Sequence, residues 1–316
     1  MAVRSTSQPS ATGVRLAYEQ IPERVRAWVE DQLGSPVTSA DTQSGGMSPG
    51  CAARLRTAGG RTAFVKAVGT DLNPQTPGLF RHEIQVLSRL GPADYRPRVL
   101  GHHDDGDWVA LLLEDVDGRH PDLDGPAQAD AVWSTVRTQS TELTPPPAGL
   151  SIATLADNAR RWAGGWATMA AEPTHFLPDW AAARADELHE RTATLADRLP
   201  VEALCHWDVR NDNLLIRADG TVVIVDWGMS RLGPRWADLF LLSLAWAERS
   251  EFDARAATLD TEPATVTDLL IGLGGWLAYR STHDAPPGLP TMPAFQRREG
   301  RRIISAARRR LDMEPL

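Results

Sequence analysis

The chain has 316 residues, a length that suits two modest domains or two lobes around a cleft. Its 33 basic and 41 acidic residues leave a net charge of −8, which speaks against a nucleic-acid partner. No stretch is long and apolar enough to span a bilayer and the N-terminus has no apolar signal core, so no membrane association is expected. Cys51 and Cys205 are far apart and give no disulfide framework, and a reducing cytoplasm is the expected location.

Residues 1–13 read as a disordered lead-in, and Val14 to Leu33 as an amphipathic helix. The run Ser44-Gly45-Gly46-Met47-Ser48-Pro49-Gly50 follows, then a strand from Cys51 to Leu55, a Gly59-Gly60 turn and a strand from Thr62 to Val68. Gly45, Gly46 and Ser48 would let backbone N–H groups come close to phosphates, although a flexible turn is the commoner meaning of such a run. Lys66 lies in the second of these strands, where a lysine is usually a solvated edge residue. Glu83 follows on a predicted helix through Phe80 to Leu87, and a Lys66–Glu83 pair would hold the ammonium toward nucleotide phosphates. Pro97 to Gly101 and Trp108 to Val116 read as two further strands. The second turns abruptly polar at Glu114-Asp115-Val116, where an adenine ring could bond the backbone of Glu114 and Val116, or the strand could simply end. Residues 1–115 are thus expected to form a nucleotide-binding lobe and residues 116–316 a catalytic and acceptor-binding lobe.

The run Leu204 to Gly228 carries the strongest signal. It holds His206-x-Asp208-x-Arg210-x-x-Asn213, a hairpin turned at Asp219-Gly220, then Asp226-Trp227-Gly228. Asn213 begins the hairpin and Asp226 ends it, so both emerge at one end, where their oxygens could share a hard cation with phosphates and water. Asp208 can receive a hydroxyl proton. Together these are the residue types that phosphoryl transfer needs.

These residues, with Pro234-Arg235-Trp236-Ala237-Asp238-Leu239, give the stretch from about Gln43 to Leu242 a family likeness. The chain resembles the aminoglycoside phosphotransferase-like superfamily, relatives of choline kinase and of the eukaryotic protein kinases. The resemblance implies an α+β, two-lobed protein-kinase-like fold, with a small antiparallel β-sheet N-lobe carrying a helix and a larger, mainly helical C-lobe. It implies transfer of the γ-phosphoryl group of ATP or GTP to a hydroxyl, with Asp208 as the base, Asn213 and Asp226 holding Mg²⁺, and Lys66 on the nucleotide phosphates. Asp238 would open a helix and brace the catalytic loop, and a plain helix N-terminal Asp accounts for it equally. Arg210 either faces the transferring group or pairs with Asp212. His206 is expected to order the loop by hydrogen bonding. The glycine loop and Trp207 depart from the family pattern.

Beyond Asp117 the chain reads mainly as helices, at Ala127–Leu143, Ile152–Met169, Trp180–Arg198, Trp236–Arg249 and Thr265–Tyr279. Nine of the eleven tryptophans lie past residue 116, which leans toward a bulky acceptor even if most are core. No dense acidic cluster declares itself for a polycation. In the tail from Arg297, Ile303, Ile304, Ala307 and Leu311 share one side of a helix whose arginines are expected to face solvent. The expected acceptor is a small hydroxylated molecule, in the first place an antibiotic of low positive charge such as a macrolide or nucleoside. The alternatives are a primary-metabolite kinase acting on choline, homoserine or a sugar, and a non-catalytic kinase-like binding module.

Overall fold

The computed structural model describes residues 12–172 and 177–312; most of the expected lead-in and the last four residues of the tail lie outside the described residues. The chain packs into two compact units. The described residues within Met1–Thr135, Arg210–Ser230 and Ala285–Thr291 form one, and those within Val136–Val209, Arg231–Asp284 and Met292–Leu316 form the other.

The first unit is built on a six-stranded sheet. Its elements are β1 (Arg15–Leu16), α1 (Glu23–Leu33), β2 (Val37–Thr42), β3 (Gly50–Thr57), β4 (Thr62–Gly69), α2 (Thr76–Leu87), β5 (Val99–Asp104) and β6 (Trp108–Leu113). The strand order is β1-β3-β4-β6-β5, with β2 on β3; every pairing is antiparallel except β1 on β3. Alternation along β4 sorts its side chains between two faces. Ala63, Val65 and Ala67 pack with Val25, Val29 and Leu33 of α1, whereas Val68 packs with Phe80 of α2. Lys66 shares the parity of Val68 and so meets α2.

The helix expected over Val14–Leu33 forms only from Glu23. Arg15 and Leu16 add to the sheet instead, and Pro22 caps the helix. Proline disfavours helical backbone in the residue before it, which blocks extension through Ile21. Gly34 ends the helix in the left-handed region, at φ 64°. Two later segments complete the unit. The hairpin Leu214–Ile216 with Val222–Ile224 pairs as expected, and Ile224 N donates to Tyr95 O at 2.8 Å. The segment 285–291 is fastened by Val14 N donating to Gly288 O at 2.9 Å and Asn73 Nδ2 donating to Pro287 O at 2.6 Å.

The second unit is mainly helical. Its helices are the C-terminal part of α3 (Pro126–Glu142), then α4 (Leu155–Ala171), α5 (Asp179–Ala182), α6 (Ala185–Ala193), α7 (Ala237–Ser243), α8 (Ser250–Ala256), α9 (Pro263–Arg280) and α10 (Met292–Leu311). The single helix expected over Trp180–Arg198 is broken into α5, α6 and a 3-10 turn. Trp162 and Trp166 on α4 are core residues, and Trp166 Nε1 donates to Ile271 O at 3.0 Å. A short ladder joins Ala203–Cys205 to Arg231–Gly233, a strand the apolar pattern does not announce.

Arg297, Arg298, Arg301 and Arg308 of α10 are exposed, as expected of a solvated face, whereas Arg302, Arg309 and Arg310 are part-buried and turn inward. Arg302 donates to Glu299 and Leu244 O, Arg309 to Ala247 O, and Arg310 to Asp253, Thr267 Oγ1 and Pro263 O. Helical periodicity cannot separate a free cation from one that reaches back to cap carbonyls of neighbouring turns.

Candidate functional site

Lys66 is buried in the first unit, and its Nζ donates to Glu83 Oε2 at 2.5 Å and Asp226 Oδ1 at 2.7 Å. The expected Lys66–Glu83 pair is therefore present, extended by a second carboxylate from 160 residues further along the chain. The ring of Phe80 backs the ammonium at 4.9 Å. Burial alone would strip the proton from Lys66, but Asp226 and Glu83 outweigh it and raise its pKa. Burial pushes Glu83 up against the pull of Lys66. The other oxygen of Glu83 accepts from Trp227 N at 3.1 Å. One buried carboxylate thus holds both the lysine and the backbone beside Asp226.

Asn213 closes a 3-10 turn, and its carbonyl accepts from Val225 N at 2.9 Å. That bond brings the two ends of the hairpin together, so Asn213 and Asp226 leave it as near neighbours. Among the described residues no group of three or more His, Cys, Asp or Glu side chains is gathered to hold a metal ion. An amide oxygen and a carboxylate that is part-exposed suit Mg²⁺, a hard cation that keeps waters and phosphate oxygens for its other positions.

Asp208 belongs to the second unit, and the division between the units falls just after it, between Val209 and Arg210. Its loop is fixed from beneath by Asp238, which is 1% exposed at the start of α7. Asp238 accepts from His206 N, Trp207 N and Gln139 Nε2, each at 2.8 Å. Both roles expected of Asp238 are thus met by one carboxylate. Burial raises its pKa to about 6, against the three donors that favour its charge. His206 is fully buried, and its Nδ1 accepts from Asp208 N at 3.2 Å, which makes it a loop-ordering group.

Two residues among those described, apart from glycines, take positive φ: Trp207 at 57° and Asp226 at 67°. For a bulky residue such as tryptophan this is a costly conformation, tolerated where surrounding contacts over-determine it. Two such contacts hold Trp207: its N–H is bound by Asp238, and its ring stacks on Trp162 at 6.2 Å between centroids. Trp207 directly precedes Asp208, and Asp226 is itself a candidate metal ligand.

Arg210 pairs with Asp212 through both Nε and Nη2, the second alternative of the two expected, and its Nη1 lies 3.9 Å from Met47 Sδ. At the polar end of β6, Glu114 is anchored by Arg217 and Arg98, which keep its pKa low despite burial. Glu114 N donates to Arg98 O, and Val116 O accepts from Arg54 Nη2. Among the described residues that leaves the Glu114 carbonyl and the Val116 N–H without hydrogen-bond partners, one acceptor and one donor two residues apart. Gly45, Gly46 and Ser48 lie in the loop before β3, where Gly46 takes φ 89°. Gln139, which bonds Asp238, and Arg15, which bonds the glycine loop, have no sequence signal of their own, because their partners are remote in the chain.

The first unit thus holds the buried Lys66–Glu83 pair with the hairpin that carries Asn213 and Asp226, and the second unit holds the Asp238-braced loop with Asp208. The family model for phosphotransferase enzymes matches residues 52–266, well over half of the chain, and the chain belongs to that phosphotransferase enzyme family. Solved structures agree on the fold. A thermostable mutant of the aminoglycoside phosphotransferase APH(4)-Ia, in ternary complex with ADP and hygromycin B, is similar with a TM-score of 0.61 at 15% identity, over 90% of this chain and 98% of that one. Choline kinase LicA from Streptococcus pneumoniae is similar with a TM-score of 0.60 at 14% identity, over 91% of this chain and 98% of that one. An aminoglycoside phosphotransferase from Alicyclobacillus acidocaldarius gives 0.52 at 16% identity, over 88% and 93%. No curated protein matches the sequence. Among the described residues no helix is long and apolar enough to cross a membrane.

Proposed function

We propose that the chain moves the γ-phosphoryl group of ATP or GTP to a hydroxyl of a small molecule, in the first place an antibiotic of low positive charge. The observation that carries the reading is the Lys66–Glu83–Asp226 cluster, a buried ammonium held between two carboxylates, one of them the part-exposed Asp226. Family membership and the fold support the reaction class. The acceptor class rests on charge: among the described residues the arginine-rich α10 and the scattered acids of the helical unit offer no matched surface for a polycation.

In this reading Lys66 fixes the triphosphate, the Glu114 carbonyl and Val116 N–H bond the adenine edge, and Gly45, Gly46 and Ser48 line the phosphates. Asn213 and Asp226 would hold Mg²⁺, which when bound offsets charge on the phosphate oxygens. Asp208 accepts the proton of the acceptor hydroxyl, on a loop whose shape is set by Asp238 and His206. Arg210, fixed on Asp212, contributes positive potential beside that loop. Such catalysis is mostly positioning and electrostatics.

The test is a phosphotransfer screen with Mg²⁺ and ATP or GTP across macrolides, nucleoside antibiotics, aminoglycosides, choline, homoserine and sugars. Turnover confined to aminoglycosides would remove the charge argument, and turnover confined to choline, homoserine or a sugar would make this a kinase of primary metabolism. With the accepted substrate, Asp208→Ala should lower kcat by about a thousandfold or more with little change in nucleotide affinity. An unchanged kcat would remove Asp208 as the base.

A further inference from the structure

The loop Ser44–Gly50 has an uneven hydrogen-bond account. Three of its carbonyls are engaged: Arg15 Nη2 donates to Gly45 O, Arg15 Nη1 to Ser48 O, and Gly13 N to Gly46 O at 3.4 Å. The N–H groups of Ser44, Gly45, Gly46, Met47 and Ser48, by contrast, have no acceptor among the described residues. A loop with its carbonyls tied back and its amides free presents partial positive charge, the arrangement that favours an anion. Arg15 comes from β1, whose register sets Arg15 opposite Gly50. That strand is itself held by Gly50 N donating to Val14 O at 3.0 Å and by Val14 N donating to Gly288 O. The fit is close: a Cβ on Gly46 would lie 2.7 Å from Arg15 Nη2, and one on Gly13 2.6 Å from Met47 O. Burial works against the guanidinium's charge, and the largest opposing influence is Asp226.

We propose that Arg15 is a positioning residue for nucleotide phosphates, forking onto the Gly45 and Ser48 carbonyls so that the loop turns its amides toward the anion. The proposal rests on the nucleotide-dependent reading above. Guanidinium suits the task because its planar fork can bind two fixed acceptors at once, which a lysine ammonium on a flexible stem does poorly.

Calorimetric titration of a non-hydrolysable ATP analogue with Mg²⁺, and separately of adenosine, would compare the native chain with Arg15→Gln and Arg15→Lys. Loss of a charge-assisted fork should weaken the ATP analogue by about tenfold or more in both variants, with adenosine affinity unchanged. Equal weakening of adenosine, or no weakening of the analogue, would overturn the proposal. Full rescue by Arg15→Lys would assign the effect to charge alone and also overturn it. If Arg15→Gln does not fold, Arg15→Lys and Gly46→Ala carry the same comparison. A native chain that binds neither ligand would sink the nucleotide reading itself, an outcome distinct from a native chain that binds both and variants that lose nothing.

Discussion

Asp238 shows how one carboxylate can couple stability to the shape of the loop that carries Asp208. Its folded pKa of about 6 stands above the ordinary carboxylate value, so the folded protein holds this proton more tightly than the unfolded chain does. The associated stability is fully present below the unfolded pKa and is lost as pH rises through the folded one. Asp238→Asn removes the titration. Relative to that variant, the native chain should lose on the order of 3 kcal/mol of unfolding free energy from about pH 4 to about pH 7. Denaturant melts at a series of pH values measure this, and a difference that stays flat would refute it. Lys66 is a contrasting case at the same scale: its two carboxylates leave it charged although buried, because the pairing outweighs desolvation.

At the scale of elements, α4 and α9 pack through glycine. A Cβ on Gly275 would lie 2.2 Å from the Trp166 ring, which is itself held by the bond from its Nε1 to Ile271 O. Two effects oppose each other in Gly275→Ala. Helix propensity favours alanine by about 1 kcal/mol. Overpacking against a fixed indole costs about 1–3 kcal/mol or more, and a 2.2 Å approach puts this site at the high end. The variant should therefore melt below the native chain in a thermal scan; an equal or higher melting temperature would mean that α9 can shift. Both α4 and α9 are expected from the sequence pattern, whereas the contact that makes Gly275 indispensable is not, because it depends on which helix faces which.

At the scale of the whole molecule, the chain leaves and re-enters its first unit, which draws on Arg210–Ser230 and Ala285–Thr291 as well as on its N-terminal stretch. A fragment ending at Thr135 lacks Asp226 and also Trp227, which is fully buried and bonded to Glu83. Lys66 would lose one of its two carboxylates, and α2 the turn at 227–229 against which Gly228 packs on Leu79. Such a fragment should fail to give a cooperative melt by circular dichroism, since uncovering a buried ion cluster costs about 3–5 kcal/mol, much of a domain's whole stability. A cooperative transition like that of the full chain would show the later segments to be dispensable.

Much of the site was legible because its chemistry is local. His206, Asp208, Asn213 and Asp226 fall within one run whose hairpin length is set by the period of a strand and an Asp-Gly turn. Lys66 and Glu83 follow the same logic on a strand and the helix after it. What tertiary structure decided are the partners: Asp226 as second carboxylate to Lys66, Asp238 and Gln139 under the His206–Asp208 loop, Arg15 on the glycine loop, and Arg302, Arg309 and Arg310 of α10 on neighbouring carbonyls. Hydrogen-bond and ion-pair donors are chosen by distance in space, so residues far apart in the chain carry no periodicity that could announce them. The amino-acid sequence by itself determined which groups are the candidates for the chemistry; the folded chain determined which groups hold them still.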